Sequence, residues 1–220
     1  MAQSISQTIP SRFQIRPAST ADVPAMTDVF FSAFNAPFWQ YFMPDTPYMR
    51  GWMDRTWAKG LNYPTDRTFV VVDAEAGDRI VAFSRWQVPQ EDGNQTHDAY
   101  EDVKYDDGVW DKEVADPFFG GMDENREKLM EKRPHWFLDL LGVHGDYQRK
   151  GIAGMLISWG TEQADRDGLP TLLHGSENGQ PYYIKSHRFE DQADIPIPDR
   201  PAYGSYSYRT LVRKPQPSAA

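Results

Sequence analysis

Residues 138–154 read Leu138-Asp139-Leu140-Leu141-Gly142-Val143-His144-Gly145-Asp146-Tyr147-Gln148-Arg149-Lys150-Gly151-Ile152-Ala153-Gly154, and this stretch decides the fold. Its front half continues Trp136-Phe137 as an apolar run, read as a buried strand whose one charge is Asp139. After a short polar loop, Gly151, Ala153 and Gly154 open a helix that runs to Asp167, with Ile152, Leu156, Trp159 and Gln163 along one side. Gly168 and Pro170 end it. The first N–H groups of a helix have no partner within it, and the positive end of the helix dipole stands behind them. Small residues let an anion approach that backbone, and Arg149 and Lys150 add positive charge. The segment is therefore predicted to hold a phosphate group.

Outward from this unit, Phe13-Gln14-Ile15-Arg16 alternates as a short strand, and Ser19 and Asp22 have capping-box spacing for a helix carrying Val23, Met26, Phe30 and Phe34 on one face. Residues 35–66 are broken by prolines and rich in aromatics, so they read as irregular. Their rings, Phe38, Trp39, Tyr41, Phe42, Tyr48, Trp52, Trp57 and Tyr63, either pack as core or wall an acceptor pocket. Thr68–Val72 and Ile80–Val88 read as a hairpin around Ala76-Gly77-Asp78. Residues 90–116 lack an apolar period and read as a surface insertion. Asp116 and Pro117 have the form of a helix N-cap and first residue. Thr171–His174 is a short strand, Gln180–His187 a helix and Ser205–Val212 a last strand. The expected fold is one α/β domain over 13–214, a mixed, mostly antiparallel central sheet flanked by helices, with flexible ends at 1–12 and 215–220.

The chain of 220 residues has no cysteine, which removes disulfides, thiolate-held zinc and a cysteine nucleophile. Its five histidines form no HxH or HExxH, so no metal is expected. The net charge is −9, and fourteen Asp or Glu face four Lys or Arg between Glu91 and Glu131. Nucleic-acid surfaces need the opposite balance. There is no leader-like apolar run at the start and none of the roughly 18 residues a membrane span needs. A cytoplasmic protein with neither nucleic-acid nor membrane partners is expected; a homodimer is left open.

Neither a P-loop nor a GxGxxG fingerprint is present. Gln148-Arg149-Lys150-Gly151-Ile152-Ala153 instead resembles the Gln/Arg-x-x-Gly-x-Gly/Ala motif of the GNAT acyltransferases. Gly175-Ser176-Glu177-Asn178-Gly179-Gln180-Pro181-Tyr182-Tyr183 keeps the Ser, Gly and Tyr spacing of fungal-type members. The resemblance is weak over 13–34 and good over 136–190. It implies acetyl-CoA as cosubstrate, bound by Leu141, Gly142 and Val143 along the pantetheine arm. Arg149, Lys150, Gly151, Ile152, Ala153 and Gly154 would take the pyrophosphate, with Ser176 and Asn178 contributing. It further implies an N-acetyltransferase acting by direct attack of an amine, with the Val143 N–H on the oxyanion and Tyr183 protonating the CoA thiolate. One departure stands out: Tyr183-Ile184-Lys185-Ser186-His187-Arg188-Phe189 is one residue longer than the family's Tyr-x-Lys-x-Gly-Phe and lacks its Gly. That leaves the next strand unassigned and Tyr182 a rival for the Tyr183 role.

Asp139 is either the general base for the incoming amine, directly or through water, or a structural carboxylate that pairs with a neighbouring arginine or caps a backbone amide. His174 reads first as a core histidine and second as a base. An acidic, aromatic-rich chain suits a small cationic amine as acceptor. The competing functions are a catalytically inactive CoA-binding sensor or scaffold, and an interaction protein using the acidic segment 90–131.

Overall fold

The computed structural model of the protein describes residues 11–91, 93 and 109–217. Seven strands form one sheet: β1 Phe13–Pro17, β2 Asp66–Asp73, β3 Arg79–Gln87, β4 Trp136–Val143, β5 Thr171–Ser176, β6 Glu190–Asp194 and β7 Tyr208–Arg213. They lie in the order β1-β2-β3-β4-β5-β7-β6. Only β4 and β5 run parallel, so the sheet is mixed and mostly antiparallel, as expected. The helices are α1 Val23–Ala33, α2 Pro37–Phe42, α3 Pro47–Gly60, α4 Lys112–Met130, α5 Ile152–Asp167 and α6 Gln180–His187. None of the described helices is long and apolar enough to cross a membrane.

One face of the sheet carries α1 to α4 over a core that includes Met26, Phe30, Trp39, Trp52, Phe83, Phe118 and Leu140. The other carries α5, whose Ile152, Leu156 and Ile157 pack on Val71, Val143, Trp86 and Leu138. At Gly160 an added Cβ would meet the Trp86 ring at 2.4 Å, so α5 lies against the sheet as closely as a glycine allows. The expected capping box is present: the Asp22 carboxylate accepts from the Ser19 N–H at 2.7 Å.

Residues 35–66 are not irregular. Pro37 and Pro47 stand in the first turns of α2 and α3, where a missing N–H costs nothing, and Thr46 caps α3 by accepting from the Met49 N–H. Most of this segment's rings are core: Phe38, Phe42, Trp52 and Trp57 are all buried. Nor does α4 start at Asp116. Asp111 is its N-cap, accepting from the Glu113 N–H at 3.1 Å, and Pro117 lies inside the helix. Core contacts of Val114, Ala115 and Phe118 and the ion pairs of Arg200 with Asp111 and Glu113 hold the first turns despite the proline. Residues 112–116 therefore belong to α4, and most of the expected acidic insertion lies outside the described residues.

The strand left unassigned after α6 is β6, an edge strand whose Asp191 and Asp194 pair with Arg209 of β7. The extra residue before it is absorbed where Arg188, at φ 60°, ends α6. Near the termini, Arg12 pairs with Asp73 at 2.8 Å and the Gln216 N–H donates to Asp165 at 2.6 Å.

Candidate active site

Strands β4 and β5 pair only from Trp136↔Thr171 to Leu138↔Leu173. On the other side of β4, Trp86 pairs with Leu138 and Arg85 with Leu140, which leaves Asp139 as the extra residue of a β-bulge. A bulge bends its strand, and here β4 leaves β5 at that point. Residues 139–143 thus continue on β3 alone, and residues 174–176 on β7 alone. The gap is a cavity of about 600 Å³, within the usual size of small-molecule sites.

Backbone direction follows from the antiparallel ladder. The His144 N–H donates to the Val81 carbonyl at 2.9 Å. Hydrogen-bonded and non-bonded positions alternate along such a ladder, so Gly142 faces Phe83, while Leu141 and Val143 turn their N–H and C=O groups toward the gap. The Val143 carbonyl is taken by the Gln148 amide at 3.2 Å, which ties the loop to the strand and leaves the N–H facing the cavity. Gly142 is required on the opposite side, since a Cβ there would stand 2.6 Å from the Phe83 ring.

At the far end of the cavity the chain turns through left-handed Arg149 (φ 60°) and Gly151 (φ 82°) into α5. The first bond back into this helix is from the Met155 N–H to the Gly151 carbonyl, so the N–H groups of Ile152, Ala153 and Gly154 have no partner within it. Arg149, Gly151, Ile152 and Ala153 line the cavity, as do Leu141, Gly142 and Val143. Lys150 and Gly154 do not. Lys150 donates to the Asp146 carbonyl at 2.8 Å and lies over the Tyr147 ring. A Cβ on Gly154 would meet the Tyr182 hydroxyl at 2.7 Å.

That contact separates the two tyrosines. Tyr182 is 40 % exposed and reaches the start of α5. Tyr183 lies instead beside β5, its ring 3.4 Å from where a Gly175 Cβ would be and edge-on to Phe189. Both line the cavity. Burial, and after it the neighbouring Tyr182, raises Tyr183 above the ordinary phenol range, so its hydroxyl keeps its proton. Asn178 and Ser176 line the cavity too, and the Ser176 hydroxyl accepts from the Gly179 N–H at 3.3 Å, shaping the turn into α6.

Asp139 faces the cavity and accepts from Nε of Arg85, which is fully buried beneath α3 against the Trp57 ring. His174, across the gap, bonds Thr210 Oγ1 through Nδ1 at 3.0 Å. Burial, and then Arg126, pushes its pKa down to about 3, so its imidazole is neutral. Of the aromatics in 35–66 only Trp39 lines the large cavity, next to Phe34 at the end of α1. The Trp39 Nε1 donates to the Tyr206 hydroxyl at 3.0 Å. Tyr206 and Tyr208, both lining residues, were missed as site residues. The alternation Ser205-Tyr206-Ser207-Tyr208, which places both rings on one face, was the available signal.

The family model described as acetyltransferase (GNAT) family matches residues 30–187 of the chain. Solved structures with a similar fold include a Corynebacterium glutamicum protein described as histone acetyltransferase HPA2 and related acetyltransferase (TM-score 0.60, 16 % identity, 95 % of this chain and 99 % of that chain). The Escherichia coli ribosomal-protein-S18-alanine N-acetyltransferase is another (TM-score 0.57, 14 % identity, 94 % and 96 %). A third is an agmatine N-acetyltransferase (TM-score 0.62, 12 % identity, 93 % and 100 %). At such identities the likeness is one of fold.

Proposed function

Because the chain belongs to the acetyltransferase (GNAT) family, we propose that it moves the acetyl group of acetyl-CoA to the primary amine of a small molecule, by direct attack in a ternary complex. The observation that carries this is the departure of β4 from β5 at Asp139. It turns the Leu141 and Val143 peptide groups toward a cavity that ends at the free N–H groups of α5. These residues suit the cosubstrate. Arg149 and the first turn of α5 would hold the pyrophosphate, and Leu141 and Val143 would bond the amide-bearing arm. Acetyl-CoA would supply the acyl group and the thiolate leaving group.

The Val143 N–H would hold the acyl carbonyl oxygen. The Asp139 carboxylate would take a proton from the acceptor ammonium, directly or through water, so that its nitrogen can form the new C–N bond. As the C–S bond breaks, Tyr183 would give its proton to the departing sulfur. The neighbours do not choose the acceptor, since one is named for a small amine and another for a protein alanine. The choice of a small amine rests on the acidic composition and the aromatic walls. Against the reading as a silent sensor stands the position of Tyr183, which lines the cavity despite the extra residue in 184–189. The fungal-type affinity rests on the 175–183 spacing alone.

Tyr183→Phe tests the assignment. It should cut kcat by about 10²-fold, a common general-acid contribution, with acetyl-CoA affinity retained. Tyr182→Phe, whose lost hydroxyl sits at Gly154, should keep kcat. If Tyr183→Phe turns over at the parent rate, the proton comes from elsewhere and the assignment is wrong.

A further inference from the structure

Strands β4 and β5 last pair at Leu138↔Leu173, so Asp139 and His174 are the first residues beyond the point where the two strands part. Both line the cavity, and each is bonded elsewhere, Asp139 to Arg85 and His174 to Thr210. The partners of His174 fix which of its nitrogens carries the hydrogen. The amide nitrogen of Asn125, on α4, donates one hydrogen to the Asp194 carbonyl at 2.8 Å and the other to Thr210 Oγ1 at 3.1 Å. That amide cannot be turned over, since its oxygen would then face a carbonyl. Thr210 is fully buried. With Oγ1 already accepting from Asn125, its own hydrogen has His174 Nδ1, 3.0 Å away, as acceptor. A buried hydroxyl rarely leaves its hydrogen unpaired. Nδ1 is therefore the bare nitrogen, and the neutral ring carries its hydrogen on Nε2.

The two ring nitrogens flank Cε1 and point in nearly opposite directions. Strand β5 lies between β4 and β7, so with Nδ1 turned to Thr210 of β7 the Nε2–H points away from β7, into the opening beside Asp139. A general base needs a bare nitrogen facing the reacting amine; His174 turns its bare nitrogen to Thr210. We propose that His174 is instead a hydrogen-bond donor to the acceptor, which carries an oxygen lone pair within a few bonds of its primary amine, as an amino ether, amino alcohol or amino amide does. An amine of pure hydrocarbon would displace water from Nε2–H and give it nothing to bond, and an unpaired donor is costly in a closed site. The placing of the amine at Asp139 rests on the acetyl-transfer reading; the position of the His174 hydrogen does not.

The hydrogen is located by long-range ¹H–¹⁵N correlation on histidine-labelled protein at neutral pH, with the His174 signals assigned by their loss in His174→Gln. Nδ1 should be the unprotonated nitrogen and Nε2 the protonated one; a hydrogen on Nδ1, or on both, would overturn the inference. The acceptor is tested with isosteric pairs: glycinamide against isobutylamine, and 2-methoxyethylamine against n-butylamine. Each amine is measured by calorimetric binding to the CoA-saturated protein and by kcat/KM with acetyl-CoA. In at least one pair the preference for the oxygen-bearing member should fall about fivefold or more in His174→Phe, the loss expected when a hydrogen bond in a closed site goes unmade. Comparing the same amines in both proteins cancels their own basicity. His174→Gln, whose amide can accept from Thr210 and still donate, should keep more of the preference than His174→Phe. The reverse order, or an equal preference in the parent and in folded His174→Phe, would overturn the inference. A His174-dependent preference in binding with no amine acetylated would uphold the donor and remove the acetyl-transfer reading instead.

Discussion

Gly151 is where the phosphate site can be separated from the stability of the fold. Its φ is 82°, and a Cβ built on it meets nothing within 4 Å. Gly151→Ala therefore carries a backbone cost without a steric one. The left-handed conformation costs an L-residue roughly 1–2 kcal/mol. For a domain of this size, that lowers Tm by about 2–8 °C. Gly151→Asp has at most that backbone cost, since Asp tolerates the left-handed region better than Ala, and it adds a carboxylate beside the unpartnered N–H groups of α5. At about 6 Å from one phosphate charge, with an effective dielectric between about 20 and about 80, repulsion amounts to roughly 0.7–2.8 kcal/mol. Calorimetric titration with CoA should show Gly151→Asp binding about 3- to 100-fold more weakly than Gly151→Ala, less so at high salt, while Gly151→Asp melts no lower than Gly151→Ala. Equal CoA affinity for the two folded variants would refute the assignment of the pyrophosphate to this turn.

Asp139→Asn should abolish or shift the acidic limb of the pH–rate profile with CoA affinity intact, and should lower Tm because the buried Arg85 loses the charge of Asp139. A lowered Tm with an unchanged profile would make Asp139 purely structural. His135, 1 % exposed, is pushed down to about 4, first by burial. The unfolded chain protonates it near 6.5 and the folded chain does not, so stability should fall on the order of 1.4 kcal/mol per pH unit as pH drops from about 6.5 toward 4. Urea midpoints against pH should show that slope, and His135→Phe should flatten it; an equal slope in the variant would assign it to other groups.

The β4–loop–α5 unit was legible because its signals are local: an apolar run, then small residues opening a helix with regular apolar spacing. The hairpin of β2 and β3 was legible for the same reason, with Gly77 at φ 68° where the turn was expected. Pro37 and Pro47 misled because a proline that starts a helix looks, without its neighbours, like one that ends it. Asp116-Pro117 misled in the reverse way: a good local start was outweighed by the contacts of Val114, Ala115 and Phe118 with core residues distant in sequence. Strand β6 has no apolar alternation, and its pairing depends on Arg209, distant in sequence. In the site, Leu141, Gly142, Val143, Arg149, Gly151, Ile152 and Ala153 line the cavity where the motif pointed, while the Lys150 side chain donates to the Asp146 carbonyl and Gly154 abuts the Tyr182 hydroxyl. The Arg85 partner of Asp139 and the walls supplied by Tyr206 and Tyr208 depend on strand register, which no single segment encodes.

The central claim is tested most directly by following acetyl-CoA labelled with ¹³C in its acetyl group, with a panel of small primary amines as acceptors. Mass spectrometry would identify the product while free thiol is measured in the same reaction. The account predicts, for at least one amine, its labelled N-acetyl amide in one-to-one ratio with released CoA thiol, with both slowed together about 10²-fold in Tyr183→Phe. Thiol release at the same rate with and without amine, yielding labelled acetate and no amide, would contradict it.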